Sequence, residues 1–253
     1  MDPYAISLEH FHYKSQGTSL EAVIVRPSGR KGNLPGAVFL HGHNSNCWDS
    51  VWIGYALARA GFAVFIPTQH GYPFSGGKRD FCGPRTVRGV LDGIEVFLKR
   101  GGVDREKVVI WGVSRGAKVA ALAAIARPQA FRGAVFQSGG YDAVTEIAST
   151  LPTIRAAIME EVCDTAAELR KRSPVMHIDA IRCPVLVLHG AHDDRIPSLQ
   201  AEMLDEKMTA LGKPHRTIIM KNEGHFLTLK TMDRYTIPFL LECARKIPPA
   251  TDR

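Results

Sequence analysis

The sequence predicts an α/β fold in which a mostly parallel β-sheet carries helices on both of its faces. Short apolar runs typical of buried strands alternate with longer helical segments along most of the 253 residues. The segments richest in reactive side chains come directly after those runs, where ligands bind in open α/β sheets. The length suits one large domain over residues 1–253, with a helical segment inserted into it.

Each element follows from local pattern in chain order. The first two strands are joined by a turn at Gly17 and predict an edge hairpin. The later apolar runs are bounded by glycine or proline, which end strands and helices. Predicted strands span residues 8–14, 20–26, 37–40, 62–67, 107–113, 133–137, 184–189 and 216–220. Predicted helices span residues 48–60, 85–100, 114–126, 198–211 and 228–245.

Residues 141–172 interrupt the alternation. They have a helical, amphipathic pattern with no strand among them, and they are too long for an ordinary connection. We therefore predict a helical cap over the functional edge of the sheet. Further along the chain, Pro238 is expected to bend or delay the last helix.

The formal net charge is +7, with lysine and arginine scattered along the chain. No basic run interleaves with aromatic residues, so the pattern favours a basic surface, or steering of acidic substrates, over nucleic-acid binding. No apolar run reaches the length of a membrane span, and residues 1–10 do not resemble a signal peptide.

The sequence has five cysteines and no C-x-x-C pair. Together with the absence of an export signal, this favours reduced thiols and a cytoplasmic location. Cys47 and Cys82 fall on loops near the predicted site, and a bridge between them is left open.

The segment Gly112-Val113-Ser114-Arg115-Gly116 fits G-x-S-x-G between a predicted strand and an alanine-rich helix. A nucleophile on such a sharp turn needs small residues two positions to either side, because strand and helix crowd one another there. Ser114 is therefore the predicted nucleophile. The alternative is a plain helix N-cap at Ser114.

Two further segments supply an acid and a base. Residues 189–197 follow a strand and contain Asp193 and Asp194, of which only one should face a histidine, unless both are turn or capping residues. His225 follows the last predicted strand and is the expected general base. The order serine, aspartate, histidine is that of the α/β-hydrolases and differs from the orders in chymotrypsin and subtilisin.

Residues 41–44, His-Gly-His-Asn, follow the third predicted strand. Backbone N–H groups of His43 and Arg115 are the predicted donors to an oxyanion, and Gly42 permits the turn that this needs. The alternative is a simple loop with a turn glycine.

The walls of the substrate pocket are predicted to come from the cap and from Asn44, Trp48, Tyr72 and Phe74. Trp48 could equally pack in the core.

Metal and cofactor signals are absent from the spacing of the other candidate residues. His70, His192 and His215 share no metal-ligand spacing, and the glycines of residues 71–77 do not form a dinucleotide motif. We therefore predict no catalytic metal and no cofactor.

Together these segments resemble the α/β-hydrolase superfamily over nearly the whole chain. They resemble more closely the catalytic domain of the prolyl oligopeptidase family and the dienelactone-hydrolase-like esterases. The stretches that carry this likeness are residues 71–77, 103–107, 172–176, 181–184, 189–197 and 223–225. In that family the acid lies three residues before a Val or Ile that precedes proline. The resemblance thus implies Asp193, three before Ile196, over Asp194.

Two departures from the family shape the expected activity. Family peptidases carry a large N-terminal propeller, whereas only a short hairpin region precedes the hydrolase core here. Dienelactone hydrolases use a cysteine where this chain has Ser114. The first expectation is therefore hydrolysis of a small-molecule carboxylic ester through an acyl-enzyme, with Ser114, His225 and Asp193 as the triad. The alternatives are a small-peptide or acylaminoacyl hydrolase and, more remotely, a non-catalytic ligand-binding module.

Overall fold

The computed structural model describes residues 5–29, 33–100, 102–163 and 165–245. Within these ranges, eight strands form one sheet in the order β1-β2-β4-β3-β5-β6-β7-β8. The strands are β1 (Ile6–Ser15), β2 (Thr18–Pro27), β3 (Leu34–Leu40), β4 (Ala63–Pro67), β5 (Val103–Val113), β6 (Gly133–Gln137), β7 (Val185–Gly190) and β8 (His215–Met220).

The sheet is parallel from β4 through β3 and on to β8, and antiparallel only where β2 pairs with β1 and with β4. The mostly parallel sheet with an antiparallel edge hairpin is therefore confirmed. Because helical crossovers join the parallel strands, their carboxyl ends all lie at the same edge of the sheet. Residues that follow β3, β5, β7 and β8 in the sequence are thus gathered at that edge.

The helices follow the predicted order with shifted ends. They are α1 (Val51–Arg59), α2 (Pro84–Arg100), α3 (Arg115–Ala126), α4 (Ala143–Ser149), α5 (Pro152–Met159), α6 (Ala166–Lys171), α7 (Leu199–Ala210), α8 (Leu229–Thr231) and α9 (Ile237–Arg245). Single 3₁₀ turns occur at Pro174–Met176 and Ile178–Ala180.

The last predicted helix, residues 228–245, is interrupted. A π-helical turn, Met232–Thr236, separates α8 from α9. Pro238 follows it, and a proline ring has no N–H to donate and would collide with the carbonyl four residues earlier. Widening the preceding turn relieves that collision, in agreement with the expected effect of Pro238.

The sheet is buried on both faces. In β5, Val108 and Ile110 pack in a core cluster with α2, α3 and α7, whereas Val109 and Trp111 pack in a second cluster with α1 and α9. Because successive side chains of a strand point to opposite faces, a strand covered on both sides is a continuous apolar run. This explains why the central strands were visible in the sequence.

The predicted cap, residues 141–172, contains α4, α5 and α6. Their apolar side chains form a small separate core with Phe81. Two buried ion pairs join the cap to α3: Lys118 with Glu146, and Arg115 with Glu161 at 2.7 Å. The helices of the cap are thus attached next to the strand-to-helix turn that contains Ser114.

Two local predictions differ from the structure. Helix α1 begins at Val51 instead of residue 48, because the Asn46 side chain accepts hydrogen bonds from the N–H groups of Trp48 and Asp49 and holds a turn there. Cys47 and Cys82 are both buried free thiols, so the bridge left open by the sequence is not formed. In the described part of the chain, no helix has both the length and the apolar character needed to cross a membrane.

Candidate active site

Ser114 lies on a strained turn between β5 and α3. Its backbone has φ 56° and ψ −123°, in the left-handed half of conformational space that residues with a side chain rarely adopt. A Cβ atom on Gly112 would lie 2.0 Å from the carbonyl oxygen of Gly116, and one on Gly116 would lie 2.1 Å from that of Leu40. Both glycines of the motif are therefore required by packing, as predicted.

We expect Gly116→Ala to lower the free energy of unfolding by about 3 kcal/mol or more, or to prevent folding, because the new methyl group meets rigid backbone. Urea midpoints measured by circular dichroism check this. Gly212→Ala is the matched control: Gly212 has a φ of +61° but no atom within 4 Å of the added Cβ. It should cost only about 1 kcal/mol. Equal midpoints for the two variants would contradict the steric argument.

Ser114, His225 and Asp193 form one hydrogen-bonded chain. His225 Nε2 lies 3.0 Å from Ser114 Oγ, and His225 Nδ1 lies 2.8 Å from Asp193 Oδ2. A carboxylate only accepts, so Nδ1 carries the proton and donates it, which leaves Nε2 to accept from the hydroxyl of Ser114. The residues follow β5, β7 and β8, so the parallel sheet brings these distant parts of the chain together.

The Asp193 carboxylate is held from several sides. Its Oδ1 accepts from the N–H groups of Arg195 and Ile196, both at 2.9 Å, and its Oδ2 lies 3.2 Å from His189 Nε2. Burial opposes ionisation of this side chain, but the hydrogen bonds from His189 and His225 outweigh it and lower the pKa of Asp193. The group is therefore a carboxylate across the neutral range.

Asp194 has a different environment from its neighbour. Its residue is exposed and lies at the edge of a cavity, whereas the side chain of Asp193 is fully buried against His225. The contact with His225 is made by Asp193, the residue that the family resemblance favoured.

Sequence reasoning missed the role of His189 as a contact of Asp193. His189 is fully buried, and its Nε2 lies 2.8 Å from the carbonyl oxygen of Ile196. It therefore braces both ends of the turn that presents Asp193. The available signal was a histidine in an otherwise apolar strand end, because a buried imidazole needs a polar partner.

The His41–Asn44 loop lies against Ser114. A Cβ atom on Gly42 would be 3.2 Å from the Cβ of Ser114. His41 anchors the loop: its Nδ1 donates to the Gly42 carbonyl, its Nε2 accepts from the N–H of Gln69, and its own carbonyl accepts from the Gln69 side chain. Burial lowers the pKa of His41 to about 4, so the ring is neutral, as this pattern requires.

The Arg115 side chain turns away from Ser114 into a buried cluster. It pairs with Glu161 at 2.7 Å and lies 3.4 Å from the Tyr72 hydroxyl, which is also 3.4 Å from His43 Nδ1. Burial and the nearby cations Arg115 and Arg79 lower the pKa of His43 to about 4. His43 is therefore neutral at physiological pH.

A cavity of about 1170 Å³ opens over Ser114 and His225. Side chains of the cap, of α1 and of the turn before α9 supply most of its apolar surface. These are Trp52, Ile53, Leu151, Ile154, Ile158 and Met232. Asn44, a predicted wall residue, is also part of the lining.

The other three predicted wall residues lie elsewhere. Trp48 donates its indole N–H to Glu21 at 2.8 Å and packs on the edge hairpin. Tyr72 is buried behind the loop that carries His41, and Phe74 is 71% exposed at a loop tip. The late start of α1 explains the change at Trp48, because it directs Trp52 toward the cavity instead.

Comparisons with known proteins agree with this arrangement. The model of the prolyl oligopeptidase family, Peptidase S9, matches residues 48–243. Uncharacterized peptidase YtmA of Bacillus subtilis is 24% identical over 228 residues, which cover 86% of each chain. Acylamino-acid-releasing enzyme of Homo sapiens is 22% identical over 230 residues, which cover 84% of this chain and 31% of that protein.

Among solved structures, an acylaminoacyl peptidase of Pyrococcus horikoshii superposes with a TM-score of 0.83 at 21% identity. The superposition covers 98% of this chain and 43% of that one. The chain therefore spans less than half the length of the human and Pyrococcus proteins, and this structural likeness establishes the α/β-hydrolase fold. Since the family match extends over well more than half of the sequence, the chain belongs to the prolyl oligopeptidase family of serine hydrolases.

Proposed function

We propose that this protein hydrolyses short peptides or acylaminoacyl compounds, with Ser114 as nucleophile, His225 as general base and Asp193 as the acid that orients it. The observation that supports this most is the unbroken hydrogen-bonded chain from Ser114 Oγ through His225 to Asp193. Ester hydrolysis was the first expectation from the sequence. The family match and the relatives named as peptidases favour the peptide alternative.

The proposed reaction runs through an acyl-enzyme. Ser114 Oγ attacks the scissile carbonyl while its proton passes to His225 Nε2, and the same proton then goes to the leaving amine as the C–N bond breaks. Water, deprotonated by His225, attacks the acyl-enzyme and releases the acid, and the proton returns to Ser114. The ionised Asp193 stabilises the imidazolium that forms at each transfer.

The backbone N–H groups of His43 and Arg115 are proposed to stabilise the oxyanion. Arg115 is the first residue of α3, so its N–H has no acceptor within the helix and lies at the positive end of the helix dipole. The loop that carries His43 lies against Ser114, as the close approach of Gly42 demonstrates. Donors of this kind act on charge that develops only in the transition state.

The charges around the cavity favour a substrate whose amino group is blocked. In the described structure its acidic lining residues are Asp49, Glu146 and Asp194. Glu146 is buried and already paired with Lys118, whereas Asp49 and Asp194 are exposed to water. A free ammonium group would therefore lose its hydration without a buried carboxylate in return, which is costly. An acylated amine carries no charge and suits the apolar walls that Leu151 and Ile154 supply.

Matched chromogenic substrates test this proposal. We expect kcat/KM for an N-acetyl-phenylalanine anilide to exceed that for the free phenylalanine anilide by at least about tenfold, a difference of about 1.4 kcal/mol. The two substrates differ only in the blocked amine. The Ser114→Ala protein supplies the background rate. A faster reaction with the free amine would contradict the preference for blocked substrates.

The corresponding p-nitrophenyl ester separates the two candidate activities. Esters are intrinsically more reactive than anilides, so ester turnover alone decides nothing. Hydrolysis of the ester with no anilide or peptide cleavage above the Ser114→Ala background would contradict the peptidase proposal and return ester hydrolysis to first place.

A further inference from the structure

We propose that His10, His12 and Glu21 form a binding site for a divalent metal ion of the zinc type on the β1–β2 hairpin. The ligand atoms of these three side chains all lie within 4.8 Å of one another. The hairpin is at the opposite end of the sheet from β7 and β8, whose loops carry Asp193 and His225. The proposed ion is therefore structural, and the inference is independent of the proposed function.

The register of the hairpin places the three side chains on one face. His12 is the direct cross-strand partner of Glu21. His10, two residues before His12, points to the same face because side chains alternate along a strand. Opposite and diagonal positions of an antiparallel pair are close enough for side chains to meet. His10 Nε2 already lies 3.0 Å from Glu21 Oε1.

The Glu21 carboxylate is held in place from behind. Its Oε1 accepts from the indole N–H of Trp48 at 2.8 Å, and its Oε2 accepts from the Thr68 hydroxyl at 3.2 Å. Hydrogen bonds of this kind orient metal-binding carboxylates and limit the entropy that binding costs. The residue is only 3% exposed, so one ligand is fixed before an ion arrives.

The charge on Glu21 is poorly compensated inside the protein. In the part of the chain that the structure describes, His10 is the one basic side chain within 4.0 Å of this carboxylate. Trp48 and Thr68 are neutral donors. A buried carboxylate is costly without a cation, and a divalent ion between Glu21 and the two imidazoles would supply one.

The donor set matches zinc. Imidazole nitrogen and carboxylate oxygen bind Zn²⁺ at about 2.0–2.2 Å, and sites with three protein ligands complete their tetrahedron with water. Tetrahedral ligands at that radius are about 3.3 Å apart, so the cluster needs to contract by about 1.5 Å at most. His10 and His12 are both exposed residues whose rings can rotate, whereas the fixed Glu21 does not have to move.

The spacing search along the sequence did not reveal this site because its ligands come from two strands. His10 and His12 form an H-x-H pair, but Glu21 approaches them only through the turn at Gly17 and the pairing of β1 with β2. The site also touches the loops near the candidate active site. Thr68, which binds Glu21, accepts a hydrogen bond from the N–H of Cys47 in the loop that precedes α1.

Metal titration of the full chain tests the proposal. After treatment with EDTA and dialysis, the protein should bind one Zn²⁺ in isothermal titration calorimetry, and zinc should raise its melting temperature. Bound Co²⁺ should give the intense visible absorption of a tetrahedral site. We expect His10→Ala and His12→Ala each to weaken zinc binding at least tenfold. Glu21→Gln should do the same, while its amide oxygen can still accept from Trp48.

His177→Ala is the matched control, because His177 is an exposed histidine away from the hairpin. It should bind zinc with the affinity of the unchanged protein. Circular dichroism establishes whether each variant is folded, and anilide hydrolysis should survive EDTA because the ion takes no part in that reaction. Absence of saturable zinc binding, or undiminished affinity in folded His12→Ala, would overturn the proposal.

Discussion

Replacement of Ser114 by alanine is expected to lower kcat/KM by about 10⁴- to 10⁶-fold and to abolish covalent labelling by a fluorophosphonate probe. The hydroxyl is the atom 3.0 Å from His225 Nε2, and no other group can form the acyl-enzyme in its place. Labelling joins Ser114 Oγ to phosphorus with loss of fluoride, so it reports the nucleophile without any knowledge of the substrate.

Ser45→Ala is the matched control for this experiment. Ser45 lines the same cavity but is not hydrogen-bonded to His225. It should label and turn over substrate at close to the unchanged rate. If Ser114→Ala still labels, the nucleophile has been misassigned. If the unchanged protein does not label at all, the remote alternative of a non-catalytic binding module gains support.

Asp193→Asn is expected to lower kcat by about 10³- to 10⁴-fold, and Asp194→Asn to change it by less than about threefold. An asparagine oxygen can still accept from the N–H groups of Arg195 and Ile196, so the turn should persist. Its amide nitrogen, however, would donate to His225 Nδ1 and shift the ring proton to Nε2. His225 could then no longer accept the proton of Ser114.

The two variants change charge equally at neighbouring positions, so their comparison isolates the hydrogen bond to His225. Steady-state kinetics on the acetylated anilide measure the effect, and urea midpoints verify that both proteins are folded. Equal losses in the two variants would indicate a general electrostatic effect of the loop. A larger loss in Asp194→Asn would reverse the assignment of the acid.

The predicted chemistry depended on short segments whose meaning is local. The glycines around Ser114 are required by contacts with backbone only a few residues away or in the adjacent strand, so they leave a signature in the sequence. Apolar runs revealed the central strands because those strands are covered on both faces. The segment 141–172 was recognised as helical because its pattern lacks strands.

The pocket residues were harder to predict because they depend on small shifts of helix ends. A helix that starts three residues later turns a different side chain toward the cavity, and this is how Trp52 came to occupy the position expected of Trp48. Phe74 is apolar but lies at an exposed loop tip. Composition alone cannot separate an aromatic residue in a pocket from one on a surface.

By itself, the sequence determined the class of fold, the strained serine turn and the order of serine, acid and base, because each depends on nearby residues or on burial of a whole strand. Only the tertiary structure decided which aspartate contacts His225, which side chains line the cavity, and that His10, His12 and Glu21 converge. Those outcomes depend on strand register, on helix ends and on turns that direct adjacent side chains apart, and none of these is written in the pattern of residue types.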